Sequence, residues 1–206
     1  MKSIKQLLLI LLATILFSSC AKIYYTPDAL TLAQSQKTIA IIPPTVSIAA
    51  SRKIDAESMK EQQKTESVNF QKEMYSWMLK RKMQGKISQE IQEIETTNAK
   101  LQKAGYPENP LTTTDMCEVL GVDGIMTSNY GLSKPMSDGA ALAVALLVGA
   151  YFSTNEVHVT LSISDCANKK LIWNYDHKFD GTLGSNPSRL VDGLMRHASR
   201  KMPYTN

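Results

Sequence analysis

Among the groups in this 206-residue chain that could form or break bonds, the first to weigh are its three cysteines, its three histidines and two serines, Ser185 and Ser188, in a Gly- and Pro-containing loop. A thiolate can attack a carbonyl or carry a lipid, an imidazole can move protons or hold a metal, and a hydroxyl needs a neighbouring base. His158 and His177 sit on consecutive strands. They would form a cross-strand metal pair only in a register that sets Val and Leu opposite Lys178, Asp176 and Asn174. The register that matches the apolar faces sends the two rings to opposite sides, so no metal site is expected and His177 reads as a half-buried, satisfied imidazole. His197 follows Arg196 on a helix and reads as solvated. Cys117 has no histidine near it in sequence and reads as a small apolar packing residue. No nucleophile elbow surrounds Ser185 or Ser188, and Ser188 reads instead as a helix cap. Neither a phosphate-cradling glycine loop nor a paired-cysteine zinc spacing is present. Trp77 with Tyr75, and Trp173 with Tyr175, could stack on sugars or bases, but their spacing assigns both tryptophans to apolar faces and to core packing. No catalytic residue, no cofactor and no enzymatic activity are expected.

The remaining cysteine, Cys20, has a different context. Lys2 and Lys5 precede an apolar run from Leu7 to Phe17 broken by one hydroxyl at Thr14, and Phe17-Ser18-Ser19-Cys20 closes it. This order resembles the lipobox of bacterial lipoproteins, in which cleavage before the cysteine is coupled to diacylglycerol on its sulfur. Phe17 stands where Leu is usual. The resemblance implies a signal peptide over residues 1–19, lipidation at Cys20 and a membrane partner through that lipid. Ala21 and Lys22 follow the cysteine in place of the acidic residue that favours inner-membrane retention, which implies an outer-membrane anchor on the periplasmic side. Removal of residues 1–19 leaves 187 of 206, enough for one self-sufficient core, and the formal charge drops from +4 to +2, so nucleic acid is not implied. With Cys20 lipidated, Cys117 and Cys166 are the only possible disulfide pair, and the sequence leaves their state open.

Residues 20–36 are polar and weakly patterned around Pro27 and read as lipidated cysteine plus tether, with one α/β domain over 37–206. Thr38 to Ile42 is a short apolar run stopped by Pro43-Pro44, the pattern of a strand covered on both faces. From Asp55 to Gln84 the chain lacks Gly and Pro, and Phe70, Met74, Trp77, Met78 and Arg81 recur at helical spacing. This predicts a long helix whose first half has little to bury, closed by Lys80 to Lys82 and by Gly85 as a left-handed cap. Lys86 to Ile94 fits a helix by period and a strand by length, and the strand is preferred. A short helix over Thr97 to Lys103 ends at Gly105. Another runs from about Thr114 to Leu120, capped by Thr112, Thr113 or Thr114 and ended by Gly121. Gly124 to Asn129 is the next apolar strand.

Val157, Val159, Leu161 and Ile163 alternate with polar residues, as do Leu171, Trp173, Tyr175, His177 and Phe179 on the following strand. Matching the dry faces pairs Ile163 with Trp173, Leu161 with Tyr175 and Val159 with His177, with an odd loop at Ala167-Asn168-Lys169 containing a left-handed residue. Leu190, Val191, Leu194 and Ala198 then define a closing amphipathic helix before Pro203. The result is an α/β fold with a mixed sheet of about five strands. Three are partly parallel through helical crossovers, an antiparallel hairpin follows, and a long helix and a C-terminal helix pack on the sheet.

Four stretches carry a family resemblance: Thr38 to Pro43, Leu120 to Met126, Leu161 to Asp165 with Lys170 to Trp173, and Leu190 to Met195. Together they resemble the fold shared by the N-terminal domain of TolB, the curli-secretion lipoprotein CsgG and the penicillin-binding-protein activator LpoB, and in particular envelope lipoproteins of this group from Bacteroidota. The resemblance implies a non-enzymatic binding or assembly accessory whose partner is an envelope protein or another copy of itself. By the same analogy the alternative is a subunit of a CsgG-like outer-membrane secretion channel, though no membrane-crossing hairpins of alternating residues are found for it. A cell-wall-active hydrolase is the remaining alternative and would need His177, Cys117 or Ser185 to converge with partners.

One segment departs from globular composition. Gly139 to Phe152 would make a helix of roughly 21 Å, too short for the ~30 Å hydrocarbon core. Ala141, Ala145 and Gly149 recur every four residues as a smooth ridge that either lies in the core or docks on a membrane surface or another copy.

Overall fold

The computed structural model describes residues 21–48, 56–133, 155–181 and 187–205. Their elements in chain order are β1 (Lys22–Tyr25), α1 (Ala29–Ser35), β2 (Thr38–Ile41), β3 (Thr45–Ile48), α2 (Ala56–Met83), β4 (Glu90–Ile91) and α3 (Ile94–Lys103). Then come α4 (Thr113–Leu120), β5 (Gly124–Ser133), β6 (Asn155–Asp165), β7 (Lys170–Gly181), α5 (Pro187–Ala198) and a 3-10 turn (Ser199–Lys201). The mixed α/β architecture is as expected, with seven strands rather than about five. Their order is β1-β7-β6-β5-β2-β4, and β3 also pairs with β5.

β2 runs parallel to both β4 and β5, which places it in the middle of the parallel half. It is buried on both sides: Ile39 and Ile41 face the main core and Ala40 the second, which Ile42 just beyond the strand also joins. Pro43-Pro44 ends β2 but not its direction, since β3 also runs parallel to β5. The partner of Ile41 is Met126 and that of Thr45 is Asn129, so the proline step holds one residue more than the strand beside it. A bulge of this kind is where a strand tolerates residues without an N–H donor.

The main core lies between one sheet face and the helices α2 and α5. Phe70, Gln71, Met74 and Met78 are the buried residues of α2, all in its second half, as the polar first half predicts. Phe70 stacks on Tyr130 with ring centroids 4.2 Å apart. Trp77 is only partly buried, its ring covered by the Arg81 guanidinium at 4.5 Å, so its spacing-based assignment to the dry side holds only in part. Gly85 has φ +69, the left-handed conformation that glycine adopts without a Cβ clash. α3 and α4 cover only one end of the opposite sheet face, where Leu101, Met116, Cys117 and Leu120 meet Ala40, Ile42 and Ile125.

The hairpin register is the one that the dry faces demand: Val159 opposite His177, Leu161 opposite Tyr175 and Ile163 opposite Trp173. The loop differs in detail. A register shift after Ile163 leaves Ile172 without a partner, so the turn comprises residues 166–169, with Lys169 at φ 53 as its left-handed residue. The bulge also reverses the phase of the strand end: Ile172 and Trp173 are both buried and Leu171 is 40% exposed, although alternation assigned Leu171 inward.

Other expectations are corrected. Residues 22–36, read as tether, contribute a strand antiparallel to β7 and a helix that buries Ala29 and Ala33. Lys86 to Ile94 yields only the two-residue β4, and Ile94 opens α3. β5 continues past Asn129 to Ser133. α5 begins at Pro187, a favoured first position, so Ser188 falls inside its first turn rather than ahead of it as a cap. Of the three candidate threonines it is Thr112 that caps α4. Its hydroxyl accepts from the Asp115 N–H at 3.2 Å, and the Asp115 carboxylate accepts from the Thr112 N–H at 3.0 Å. Thr112→Ala is expected to lower the melting temperature by roughly 3 °C, read by circular dichroism; an unchanged value would mean the box adds nothing to the fold.

Candidate functional site

Cys117 is not a free packing residue: it is bonded to Cys166, with Cα atoms 5.5 Å apart. The bridge joins α4 to the β6–β7 turn. Beside it, Asp165 is 2% exposed and collects three donors, Gln36 Nε2 at 2.8 Å, the Asn168 N–H at 2.8 Å and Asn168 Nδ2 at 2.7 Å. Tyr204 completes the cluster by donating its hydroxyl to Gln36 Oε1, and burial pushes that phenol far above its usual range. Gly124 lies against this cluster, and a Cβ there would force the Gln36 amide to shift out of its bonds. These groups are consumed by one another, and their role is to hold the fold.

The face with unspent polar capacity is the part of the sheet that α3 and α4 leave open. Alternation sends Thr45 and Ser47 of β3, Thr127 and Asn129 of β5, and His158, Thr160 and Ser162 of β6 to this side. Asn174 and Asp176 of β7 and Lys22 and Tyr24 of β1 continue the row. At its centre Asp176 Oδ2 accepts from Thr160 Oγ1 at 3.1 Å and lies 3.0 Å from His158 Nε2, while Asn174 Nδ2 donates to Ser162 Oγ at 2.9 Å. No described element covers these side chains. The sheet is thus dry on one side and wet on the other across five strands, which for an antiparallel region is a stable arrangement that also offers a flat polar docking surface. Sequence reasoning did not single out this face, although the register that pairs Leu161 with Tyr175 also pairs Thr160 with Asp176 and so carried the signal for it.

The structure keeps the other flagged residues apart. His158 and His177 project to opposite faces, as the register requires. Among the described residues no group of three His, Cys, Asp or Glu is arranged to hold a metal. His197 is exposed on α5. Burial, and secondly the nearby His197 ring, hold His177 below its ordinary 6.5, against the opposing pull of Asp176. A depressed imidazole binds its proton more readily when unfolded, so stability is present at neutral pH and is lost as pH falls through about 6.5 and below. His177→Gln should flatten that dependence between pH 7.5 and 5.5 in chemical denaturation, and an unchanged slope would place the titration elsewhere. Trp173 is wholly buried and stacks on Tyr175, with centroids 5.9 Å apart, in the core role expected of it. Cys20, Ser185 and the ridge of Ala141, Ala145 and Gly149 lie outside the described residues. No described helix is long and apolar enough to cross a membrane.

A second surface feature lies at the β1 edge. Tyr25, Pro27, Leu30, Arg200, Lys201 and Met202 are among the residues lining an open cleft of about 420 Å³. The Tyr25 hydroxyl donates to the Lys201 carbonyl and so ties the Ser199–Lys201 turn to β1.

No protein-family model and no curated protein matches this chain. Several solved structures are similar in chain trace. Lipoprotein GNA1162 from Neisseria meningitidis aligns over 80% of this chain and 94% of its own, at 11% identity and a TM-score of 0.45. The LpoB C-terminal domain from Salmonella enterica covers 75% of this chain and 94% of its own, at 10% identity and a TM-score of 0.37. The PelC dodecamer from Paraburkholderia phytofirmans covers 91% and 99%, at 9% identity and a TM-score of 0.42.

Proposed function

We propose that this chain is an envelope lipoprotein, anchored by a lipid on Cys20 to the periplasmic side of the outer membrane, that works as a non-enzymatic binding or assembly module. The observation that carries the reading is the open polar face of β3, β5, β6, β7 and β1. Its side chains bond to one another across strands in a flat array, the geometry of a recognition surface, and do not converge on a point where a reacting atom would sit. The lipobox-like order ending at Cys20 supports the anchor. The Cys117–Cys166 bridge supports an oxidising compartment, where such bonds persist.

The test is site-specific photo-crosslinking in intact cells, with a benzophenone side chain at Thr160 or Asn174 and a control at Glu108, an exposed loop position. The reading predicts a discrete adduct from the face positions and none from the control. Equal or absent crosslinking at all three positions would sink it. The mass of the adduct distinguishes self-association from a second protein.

A further inference from the structure

The position of β1 relative to Cys20 has a geometric implication. Only Ala21 separates Cys20 from Lys22, the first residue of β1, so two extended steps of about 3.4 Å each are all that lie between a lipid on that sulfur and the folded sheet. A domain held so close has no freedom to stand away from the bilayer. The surface nearest the anchor has the composition that this demands. Tyr24, Tyr25, Leu30, Met83 and Leu171 are the large apolar side chains exposed among the described residues, and the first three lie within ten residues of Cys20. Tyrosine is favoured at the headgroup level because its ring is apolar and its hydroxyl polar. Lys22, Arg200 and Lys201 are exposed around the same rim. The nearby acids are engaged: Asp28 pairs with Lys170 at 2.6 Å, and Asp176, opposite Lys22, bonds to His158 and Thr160.

We infer that the β1 edge, the start of α1 and the Ser199–Lys201 turn form a bilayer-facing surface. Tyr24, Tyr25 and Leu30 enter the headgroup layer of the leaflet that holds the Cys20 lipid, and Lys22, Arg200 and Lys201 meet anionic phosphates there. β1 is the sheet's edge strand, so both rows of its side chains border this rim, and the rest of the open polar face, on β3, β5, β6 and β7, is left standing roughly upright beside the membrane, accessible from the periplasm. The inference rests on the lipid anchor proposed above.

The test uses the mature lipidated chain reconstituted in vesicles of phosphatidylethanolamine and phosphatidylglycerol containing nitroxide-headgroup lipid. Leu30→Trp and Met83→Trp each add one exposed fluorophore, and emission of the parent protein's Trp77 and Trp173 is subtracted. Met83 is the control because it follows Lys82, which is bonded to Glu90 of β4, at the opposite sheet edge and about 24 Å away by strand spacing. The nitroxide should remove about half or more of the added emission at position 30, as expected of a residue at headgroup depth, and leave position 83 unchanged. Arg200→Glu with Lys201→Glu in the Leu30→Trp background should restore most of the lost emission. Equal quenching at both positions, or none at either, overturns the surface. Acetylation of Lys201 by a water-soluble reagent needs no substitution: it should slow severalfold on vesicles relative to Lys103, and equal rates would also overturn the surface. Mass spectrometry of the N-terminal peptide separates the two levels: absence of diacylglycerol on Cys20 defeats the anchor itself, whereas a lipidated chain with unquenched Leu30→Trp defeats only the docking surface.

Discussion

Replacing Cys117 and Cys166 together by serine should destabilise the protein by about 4 kcal/mol in denaturant unfolding. The bridged residues are 49 positions apart, and releasing a loop of that length returns about 14 cal/mol/K of chain entropy to the unfolded state. The effect acts on the unfolded ensemble, so the native spectrum of the oxidised and serine forms should coincide while the unfolding midpoint moves. Reduction with dithiothreitol under denaturing conditions should reproduce the shift in the parent and have no effect on the double variant. A loss below about 1 kcal/mol would mean that α4 and the β6–β7 turn are held equally well without the bond, and the chain-entropy account would fail.

The second large effect is expected at Asp165, where Asp165→Ala should cost about 3 kcal/mol. The substitution strips a partner from Gln36 Nε2, from the Asn168 N–H and from Asn168 Nδ2. Bonds to a carboxylate are worth more than neutral ones, and the Gln36 amide would be left buried beside a void. Tyr204→Phe removes a single neutral donor from the same cluster and should cost only about 1 kcal/mol. Equal losses for the two would show that packing, not the carboxylate, holds the cluster together. Because Gln36 belongs to the segment behind β1, Asp165→Ala should also speed amide exchange in α1, a readout that a purely local loss at the turn would not move.

What could be read in the sequence depended on how much apolar surface each element buries. β6 and β7 alternate over many residues, so their pairing followed from the single requirement that both dry faces coincide. The long helix announced itself through Phe70, Met74 and Met78 and through the absence of Gly and Pro. β1 and α1 passed for tether because an edge strand shows only Ile23 to the core and a seven-residue helix buries only the small Ala29 and Ala33. Three successive apolar residues, Leu171-Ile172-Trp173, conceal the phase in which the bulge falls. The disulfide was open because its two cysteines meet only once α4 packs near the β6–β7 turn, a tertiary fact with no local signature. The polar face was implicit in the same alternation that revealed the core, but its cross-strand bonds, Asp176 to Thr160 above all, required the register to be worked out on the wet side as well.

The Tyr204–Gln36 and Gln36–Asp165 bonds join residues 168 and 129 positions apart, and the Tyr25–Lys201 bond spans 176. Contacts of such separation make folding slow, since most of the chain must be ordered before they form. β1 pairs with β7, and the Tyr25–Lys201 bond adds the Ser199–Lys201 turn to that edge, so the edge of the sheet is secured only after almost all of the described chain is in place. An affinity tag fused after residue 206 would crowd the turn that fastens this edge.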